Sequence, residues 1–425
     1  MKNEKIISGR LGEEYMMIEH SSGLKLMLCP MKEYSTAYAM FSTRCGSIDH
    51  SFSVDGGDFI DLPAGIAHFL EHKLFENEEG DAFEQYAKTG ASANAYTSFD
   101  RTAYLFGCTD KFDESIEILL NLVTTPCFTE QSVQKEQGII GQEIMMYNDD
   151  PDWRVYFNLL GALYHTHPIN IDIAGTVESI SDINAELLYR CYNAFYSLNN
   201  MVLSVAGNFD PDTVIKACDK ILKPCTPVSV KTREIDEPDE IKVRRVEQKL
   251  EVAAPLFHIG FKGTAGSYKE NILAQVVGEI ANDLIIGEST DIYRELYDSG
   301  LINTTFDSEV MAGPNYLLSL FSGESHDADE VFKRICEVIE KLQIDGIEEK
   351  NFDRAKKAAY GRYIGIYGNV ESMAGMMSLA GLAGFSAYSP LEELESLTIN
   401  DVQAYIRSNC DTSKAALSVI SSLEA

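Results

Sequence analysis

The sequence predicts an α+β protein of two domains of one design, each a mainly antiparallel β-sheet packed with helices. Three observations lead there. The chain has 425 residues, too long for one ordinary hydrophobic core, so two domains are the default. Residues 11–60 read as strands joined by hairpin-type turns, and helices and strands mix from there to residue 222. After a Pro- and acid-rich stretch the element order of the first half returns, although residue identity between the halves is low.

The elements follow in order. Tyr15-Met16-Met17-Ile18-Glu19, a turn at Ser21-Ser22-Gly23 and Leu24-Lys25-Leu26-Met27-Leu28-Cys29 form a hairpin pattern. Residues 36–43 are another strand, ending at Gly46. Leu62-Pro63-Ala64-Gly65 and Asn77-Glu78-Glu79-Gly80 carry turn residues on either side of a short helix. A second helix is expected over 81–89, then strands at 91–96 and 101–108 around Ser98-Phe99-Asp100. Residues 113–123 have an acidic start and helical spacing. A helix over 129–147 breaks at Asp149-Asp150-Pro151-Asp152 and resumes over 153–164. Helices at 182–196 and 211–222 flank a buried strand at 201–207.

Pro224, Pro227 and Pro238, with the acidic run Glu234, Asp236, Glu237, Asp239 and Glu240, mark a linker. The expected division is a first domain over 1–223, a linker over 224–245 and a second domain over 246–425. In the second, 254–263 matches the strand at 36–46, and a helix over 271–286 stands where the short helix lies in the first, without a histidine. The most apolar run, 373–385, has 13 residues rich in Gly, Ala and Ser. It is too short to span a membrane and reads as a tightly packed helix.

Composition excludes several functions. Lys and Arg number 35 against 66 Asp and Glu, a formal charge of −31, and phosphate binding needs a basic surface, so nucleic acid is not an expected partner. There is no P-loop and no Gly-x-Gly-x-x-Gly. The acidity either keeps the protein soluble or lines a cavity that favours basic peptides. The nine cysteines are odd in number and scattered, with no Cys-x-x-Cys, which suits reduced thiols and a cytoplasmic location. No secretory signal and no membrane insertion are expected.

The short helix carries Ala67-His68-Phe69-Leu70-Glu71-His72-Lys73-Leu74-Phe75, a His-x-x-Glu-His pattern. Residues three and four apart share a helix face, so His68, Glu71 and His72 point one way. Two imidazoles one turn apart can grip a zinc ion, with a carboxylate beside them to take a proton from water. The same three side chains could also be surface residues that meet by chance. The order is the mirror of His-Glu-x-x-His, the inverted zinc-peptidase signature. A catalytic zinc usually has three protein ligands. The helix over 129–147 offers Glu136 and Glu143, seven apart and therefore on one face, and Ile139, Ile140, Ile144 and Met145 give it an apolar side. One carboxylate can ligate while the other orients a ligand; alone, the pair would read as two solvated glutamates. His165 and His167 alternate along the chain and do not complete a site, and His167 reads as structural.

With both motifs in order, the chain resembles the pitrilysin-type zinc peptidases of family M16, which include insulin-degrading enzyme and mitochondrial processing peptidase. The resemblance extends through Gly90-Ala91-Ser92-Ala93-Asn94-Ala95-Tyr96-Thr97-Ser98, Thr102-Ala103-Tyr104, His167-Pro168 and Ile173-Ala174-Gly175-Thr176. It implies Zn2+ held by His68, His72 and Glu143, Glu71 as general base and Glu136 behind the ligands. It implies that a peptide adds along an edge strand at Ala93, Asn94, Ala95 and Tyr96. The implied activity is endopeptidase cleavage of unfolded peptides or leader segments within a chamber of which this fold forms half. The alternative within the fold is a non-catalytic, core-type scaffold subunit, but such subunits have typically lost part of the zinc motif, and all five positions are present here. Two His and one carboxylate suit zinc, while manganese or cobalt could substitute.

One departure stands out. Many family members carry an Arg and a Tyr seven apart in the second copy, where they contact substrate. In Arg294-Glu295-Leu296-Tyr297-Asp298-Ser299-Gly300-Leu301 the arginine is present and the tyrosine position holds Leu301. Leu cannot donate a hydrogen bond to an oxyanion. The resemblance to the bacterial two-chain branch then implies a second M16-type chain that supplies the Arg/Tyr pair, or a homodimer. The other reading is that Arg294 is a plain helix-surface residue.

Overall fold

The computed structural model describes residues 2–77 and 80–423. From the N-terminus run β1 (Lys2–Ile7), β2 (Glu14–Glu19), β3 (Lys25–Pro30), β4 (Ala37–Thr43), β5 (Ser51–Val54), β6 (Ile60–Asp61) and α1 (Ile66–Leu74). Then come β7 (Glu76–Asn77), β8 (Gly80–Asp81), α2 (Ala82–Thr89), β9 (Ser92–Thr97), β10 (Thr102–Cys108), α3 (Phe112–Thr124) and α4 (Glu130–Asp149). The first half closes with α5 (Pro151–Leu163), α6 (Val177–Ser181), α7 (Ala185–Phe195), β11 (Met201–Gly207), α8 (Pro211–Ile221) and β12 (Val230–Thr232). The second half holds β13 (Arg245–Leu250), β14 (Leu256–Lys262), α9 (Tyr268–Ile286), α10 (Asp291–Asp298), β15 (Asp307–Gly313), β16 (Tyr316–Glu324) and α11 (Ala328–Asp345). It ends with α12 (Glu349–Tyr367), α13 (Val370–Ala383), α14 (Ser389–Ser396), α15 (Ile399–Asn409) and β17 (Ala415–Ser422). In the turn expected at 77–80, Glu78 and Glu79 lie outside the described residues; β7 and β8 pair on either side of them.

The first sheet has the strand order β1-β2-β3-β11-β4-β10-β9. Only β3 and β11 run parallel; the other neighbours are antiparallel. The second sheet has the order β13-β17-β14-β16-β15, again with one parallel pair, β13 and β17. Five strands of each sheet therefore correspond one to one, and α9 is the first helix after β14 as α1 is the first after β4, where β5 and β6 intervene. The architecture is α+β in two copies. Buried strands explain themselves chemically: Met201-Val202-Leu203-Ser204-Val205-Ala206-Gly207 is covered along its whole length, and β-branched and small apolar residues suit a strand packed on both faces.

The compact units do not follow chain order. One comprises Met1–Ile144, Asp172–Glu234 and Ile364–Tyr388, and the other Met145–Ile171, Ile235–Tyr363 and Ser389–Ala425. This differs from the contiguous division at 224–245 by two exchanged segments, each for a packing reason. Helix α13 lies across β3, β11 and β4 of the first sheet. It buries Met373, Ala374, Met377, Ser378, Ala380 and Gly381, Ser378 hydrogen-bonds Ser42 at 2.7 Å, and the Lys25 ammonium donates to the Gly381 carbonyl at 2.6 Å. A cation at the last turn also suits the helix dipole. Helix α5 lies across β13, β17 and β14 of the second sheet, where a Cβ on Gly260 would come within 2.7 Å of the Leu163 side chain.

The stretch expected to be a linker is also fastened. β12 pairs with β5 in the first unit. In the second unit the Glu237 carboxylate accepts from the backbone N–H groups of His165, Thr166 and His167 at 2.9, 2.7 and 2.8 Å. It also accepts from buried Lys262 at 2.6 Å. Burial raises the Glu237 pKa, but the Lys262 bond and the three amides outweigh it and hold the group down at about 2. His167 is buried as well, donating from Nε2 to the Pro314 carbonyl at 3.1 Å and accepting at Nδ1 from Ile169 N–H at 3.1 Å. Its role is structural.

Two outcomes are expected. A Cβ at Gly381 would meet Met27 Sδ at 2.7 Å and both Val202 methyls at 2.9 Å, so Gly381→Val lowers unfolding free energy in urea by about 1–3 kcal/mol. A carboxylate with a depressed folded-state pKa stabilises the fold above its unfolded pKa and loses that contribution on acidification. The Glu237 contribution is therefore complete above about pH 4.5 and fades as pH falls towards 2; an acid titration followed by circular dichroism of wild type and Glu237→Gln shows less acid sensitivity in the variant over that window.

Candidate metal centre

The site is built where α1 meets α4 in the first unit. Helix α1 starts from Gly65, whose φ of 88° puts it in the left-handed region, which glycine enters without penalty. The chain is also too close there for a side chain: a Cβ on Gly65 would lie 2.4 Å from the Ala174 carbonyl oxygen, and one on Gly175 2.5 Å from the Ala64 carbonyl oxygen. Ser179 Oγ donates to that same Ala64 oxygen at 2.8 Å. The segment Ile173-Ala174-Gly175-Thr176 is thus a brace for the start of the motif helix. Helix α4 is fixed from behind by Gln137, whose amide donates to the carbonyls of Ile180, Ser181 and Ile183 at 3.2, 3.2 and 2.9 Å.

Between these helices, His68 Nε2 stands 3.7 Å from Glu143 Oε1, and His72 Nε2 3.4 Å from Glu143 Oε2. The two imidazoles meet edge to face, with centroids 4.7 Å apart. Among the described residues, His68, His72 and Glu143 are the one group of three or more His, Cys, Asp or Glu side chains whose ligand atoms converge, all within 4.8 Å. Ligand atoms about 2.0–2.2 Å from a tetrahedral zinc ion stand roughly 3.4 Å apart. The two His–Glu143 spacings are of that size and exceed usual hydrogen-bond lengths, so the donor set fits such an ion.

The surrounding groups prepare the donors. Glu136 Oε1 lies 3.2 Å from His72 Nδ1, which fixes the ring and leaves Nε2 facing Glu143. Burial, with His72 nearby, lowers the His68 pKa to about 4 against the pull of Glu143 and Glu136, so His68 presents a neutral imidazole. Burial opposes a proton on His72, but the Glu136 hydrogen bond and the fields of Glu143 and Glu71 raise its pKa overall. A metal ion must displace that proton. Glu71 lies beside these groups, within the electrostatic reach of His72 and Glu143. Burial raises its pKa against the Thr97 hydroxyl, which donates to Oε2 at 2.7 Å. Thr97 in turn contacts the Thr102 hydroxyl at 3.3 Å, and Thr102 donates to the Cys45 carbonyl at 2.8 Å.

The chain matches two family models. Residues 50–177 match the insulinase (peptidase family M16) model, and residues 182–359 match the M16 inactive domain. An uncharacterised zinc protease of Bacillus subtilis, YmfH, is 37% identical over 393 residues, 91% of this chain and 92% of its own. The chain belongs to peptidase family M16. A solved structure described as an M16-like peptidase from Alicyclobacillus acidocaldarius has 33% identity and a TM-score of 0.94, covering 98% of this chain and 100% of the other. Pitrilysin shares the fold at a TM-score of 0.76 and 17% identity, with 99% of this chain on 46% of that one. Within this M16 chain, the inactive-domain match includes α9, which has no histidine.

The expected residues fall into three places. His68, Glu71, His72, Glu136 and Glu143 converge. Ala93, Asn94, Ala95 and Tyr96 lie on β9, at the edge of the first sheet. Arg294 belongs to the second unit, on α10, exposed and 3.8 Å from Asp291. Sequence reasoning missed Thr97 and Lys73 as parts of the site. Thr97 ends β9, one residue beyond the strand expected at 91–96, while a Lys adjoining a His-x-x-Glu-His pattern carries no signal of its own.

Equilibrium competition with a chromophoric chelator is expected to show one Zn2+ bound per chain. His68→Ala, His72→Ala and Glu143→Gln each weaken that binding by at least about tenfold, and Glu71→Gln leaves it within a few-fold of wild type.

Proposed function

We propose that this M16 chain is a zinc-dependent endopeptidase whose general base is Glu71. The observation that carries the reading is the placement of the Glu71 carboxylate, about one helical turn after His68 and next in sequence to His72, against the end of an open sheet edge through the 2.7 Å bond from Thr97. His68, His72 and Glu143 hold the zinc. When bound, the ion supplies Lewis acidity that acidifies a water molecule and polarises the scissile carbonyl. Glu71 takes a proton from the attacking water and delivers it to the departing amine. Glu136 keeps His72 in one orientation.

β9 pairs only with β10 among the described strands, so its other edge can accept a peptide as an added strand. Such binding takes affinity from main-chain hydrogen bonds along Ala93, Asn94, Ala95 and Tyr96, and so tolerates many sequences. Thr97 ends the same strand, which puts the strand register and the base under one constraint. Unfolded peptides and leader segments are the substrate class this recognition suits.

Arg294 is available, while Leu301 follows α10 and is held by its N–H to the Leu296 carbonyl. A second chain of the same family, or a second copy of this one, supplies the missing phenol in our reading. The nine cysteines are all free, which supports a reducing, cytoplasmic setting. No described helix is long and apolar enough to cross a membrane.

A quenched library of basic peptides, incubated with purified protein and Zn2+, tests the reading. Cleavage by wild type that falls at least about a hundredfold in Glu71→Gln, with zinc retained, is the expected result. Cleavage appearing only after addition of host lysate, and still dependent on Glu71, would identify a two-chain enzyme. Undiminished cleavage by Glu71→Gln would overturn the assignment of the base.

A further inference from the structure

Lys73 follows the second motif histidine and is 0% exposed. It occupies the helix side that also buries Leu70 and Leu74, where an apolar side chain would fill the space without the cost of taking an ammonium from water. Its Nζ lies 3.8 Å from Glu136 Oε2 and 2.7 Å from Glu76 Oε2. Glu136, 6% exposed, uses its other oxygen on His72 Nδ1. Outside, Lys135 closes on Glu76 Oε1 at 2.9 Å. The result is an alternating chain of charge, Lys135–Glu76–Lys73–Glu136, that ends on His72. Glu76 on the protein surface could be satisfied by Lys135 and water; the buried Glu136 has Lys73 as its cation.

We propose that Lys73 is a positioning residue of the metal centre, offsetting the Glu136 carboxylate so that Glu136 can orient His72 without adding uncompensated negative charge behind the metal. The inference rests on the reading of His68, His72 and Glu143 as the zinc ligands. A divalent ion and one ammonium balance the three carboxylates Glu71, Glu136 and Glu143. Without Lys73 the loaded site carries one net negative charge. It then attracts the cation more strongly, but it opposes the negative charge that develops on a substrate carbonyl oxygen. Lys73 thus trades metal affinity for electrophilicity.

The test is zinc affinity by chelator competition, with kcat and KM measured on a cleaved basic peptide. Lys73→Met is expected to bind Zn2+ roughly three- to tenfold more tightly than wild type, and Lys73→Arg to restore the wild-type value. With cleavage, Lys73→Met lowers kcat about tenfold with KM little changed, and the same substitution in a Glu136→Gln background changes kcat less than about twofold, because no carboxylate charge is left to offset. A lysine that only packs α1 would give zinc binding that is unchanged or weaker in Lys73→Met, or equal losses of kcat in both backgrounds; either result overturns the inference. If Lys73→Met does not accumulate as folded protein, Lys73→Gln replaces it with the same expectations. His72→Ala in the same titration separates the two levels of the argument: zinc affinity unaffected by that change fails the ligand reading itself, and the role of Lys73 with it.

Discussion

The first unit is constrained by charge in a confined space. Three carboxylates and two imidazoles converge between α1 and α4, with Lys73 the ammonium set against them. Such a group repels itself and resists leaving water, and it holds together only if every member has a fixed counterpart. Much of the neighbouring structure reads as the means of fixing them. Gly65 and Gly175 allow two loops to touch so that α1 begins at one place, Gln137 ties α4 to three carbonyls, and Thr97 pins Glu71 from the sheet edge. A divalent ion completes the balance, which is why geometry and electrostatics both point to a metal.

The duplication sets what the second unit can do. Its five strands repeat the order of five of the seven strands of the first sheet, with the same single parallel pair. Its helix after β14 is buried along most of its length and has a capping box at Ser267 and Glu270, yet offers no histidine. The sheet core is thus repeated while the ligand set exists in one copy only, and the match to an inactive-domain family model has a concrete physical meaning in α9.

Much of this was legible in the sequence because it is local. The motif helix is bounded by turn residues, the Glu136 and Glu143 helix by Asp150 and Pro151, and the strands at 92–97 and 102–108 by a short polar turn. What could not be read is what depends on distant partners. β1 is Lys2-Asn3-Glu4-Lys5-Ile6-Ile7, polar and exposed along most of its length, and is a strand only because β2 is beside it. The apolar spacing of α5 and α13 announces helices with a buried face but says nothing of which sheet each will cover. Lys73 next to a histidine looks like a solvated residue until its environment is seen. The segment 224–245, rich in Pro and acid, reads as a tether, and only the His165–His167 amides and Lys262 reveal how tightly Glu237 is held.

The exchange of α5 and α13 has a consequence for synthesis. Residues are made in order, and the helix that covers the sheet beside the metal centre ends at Ala383 of a 425-residue chain. Until the ribosome has delivered it, β3, β11 and β4 lack their apolar cover. A nascent chain that already contains every proposed ligand and the proposed base is therefore still an unfinished unit, because α13 comes after all of them in the sequence.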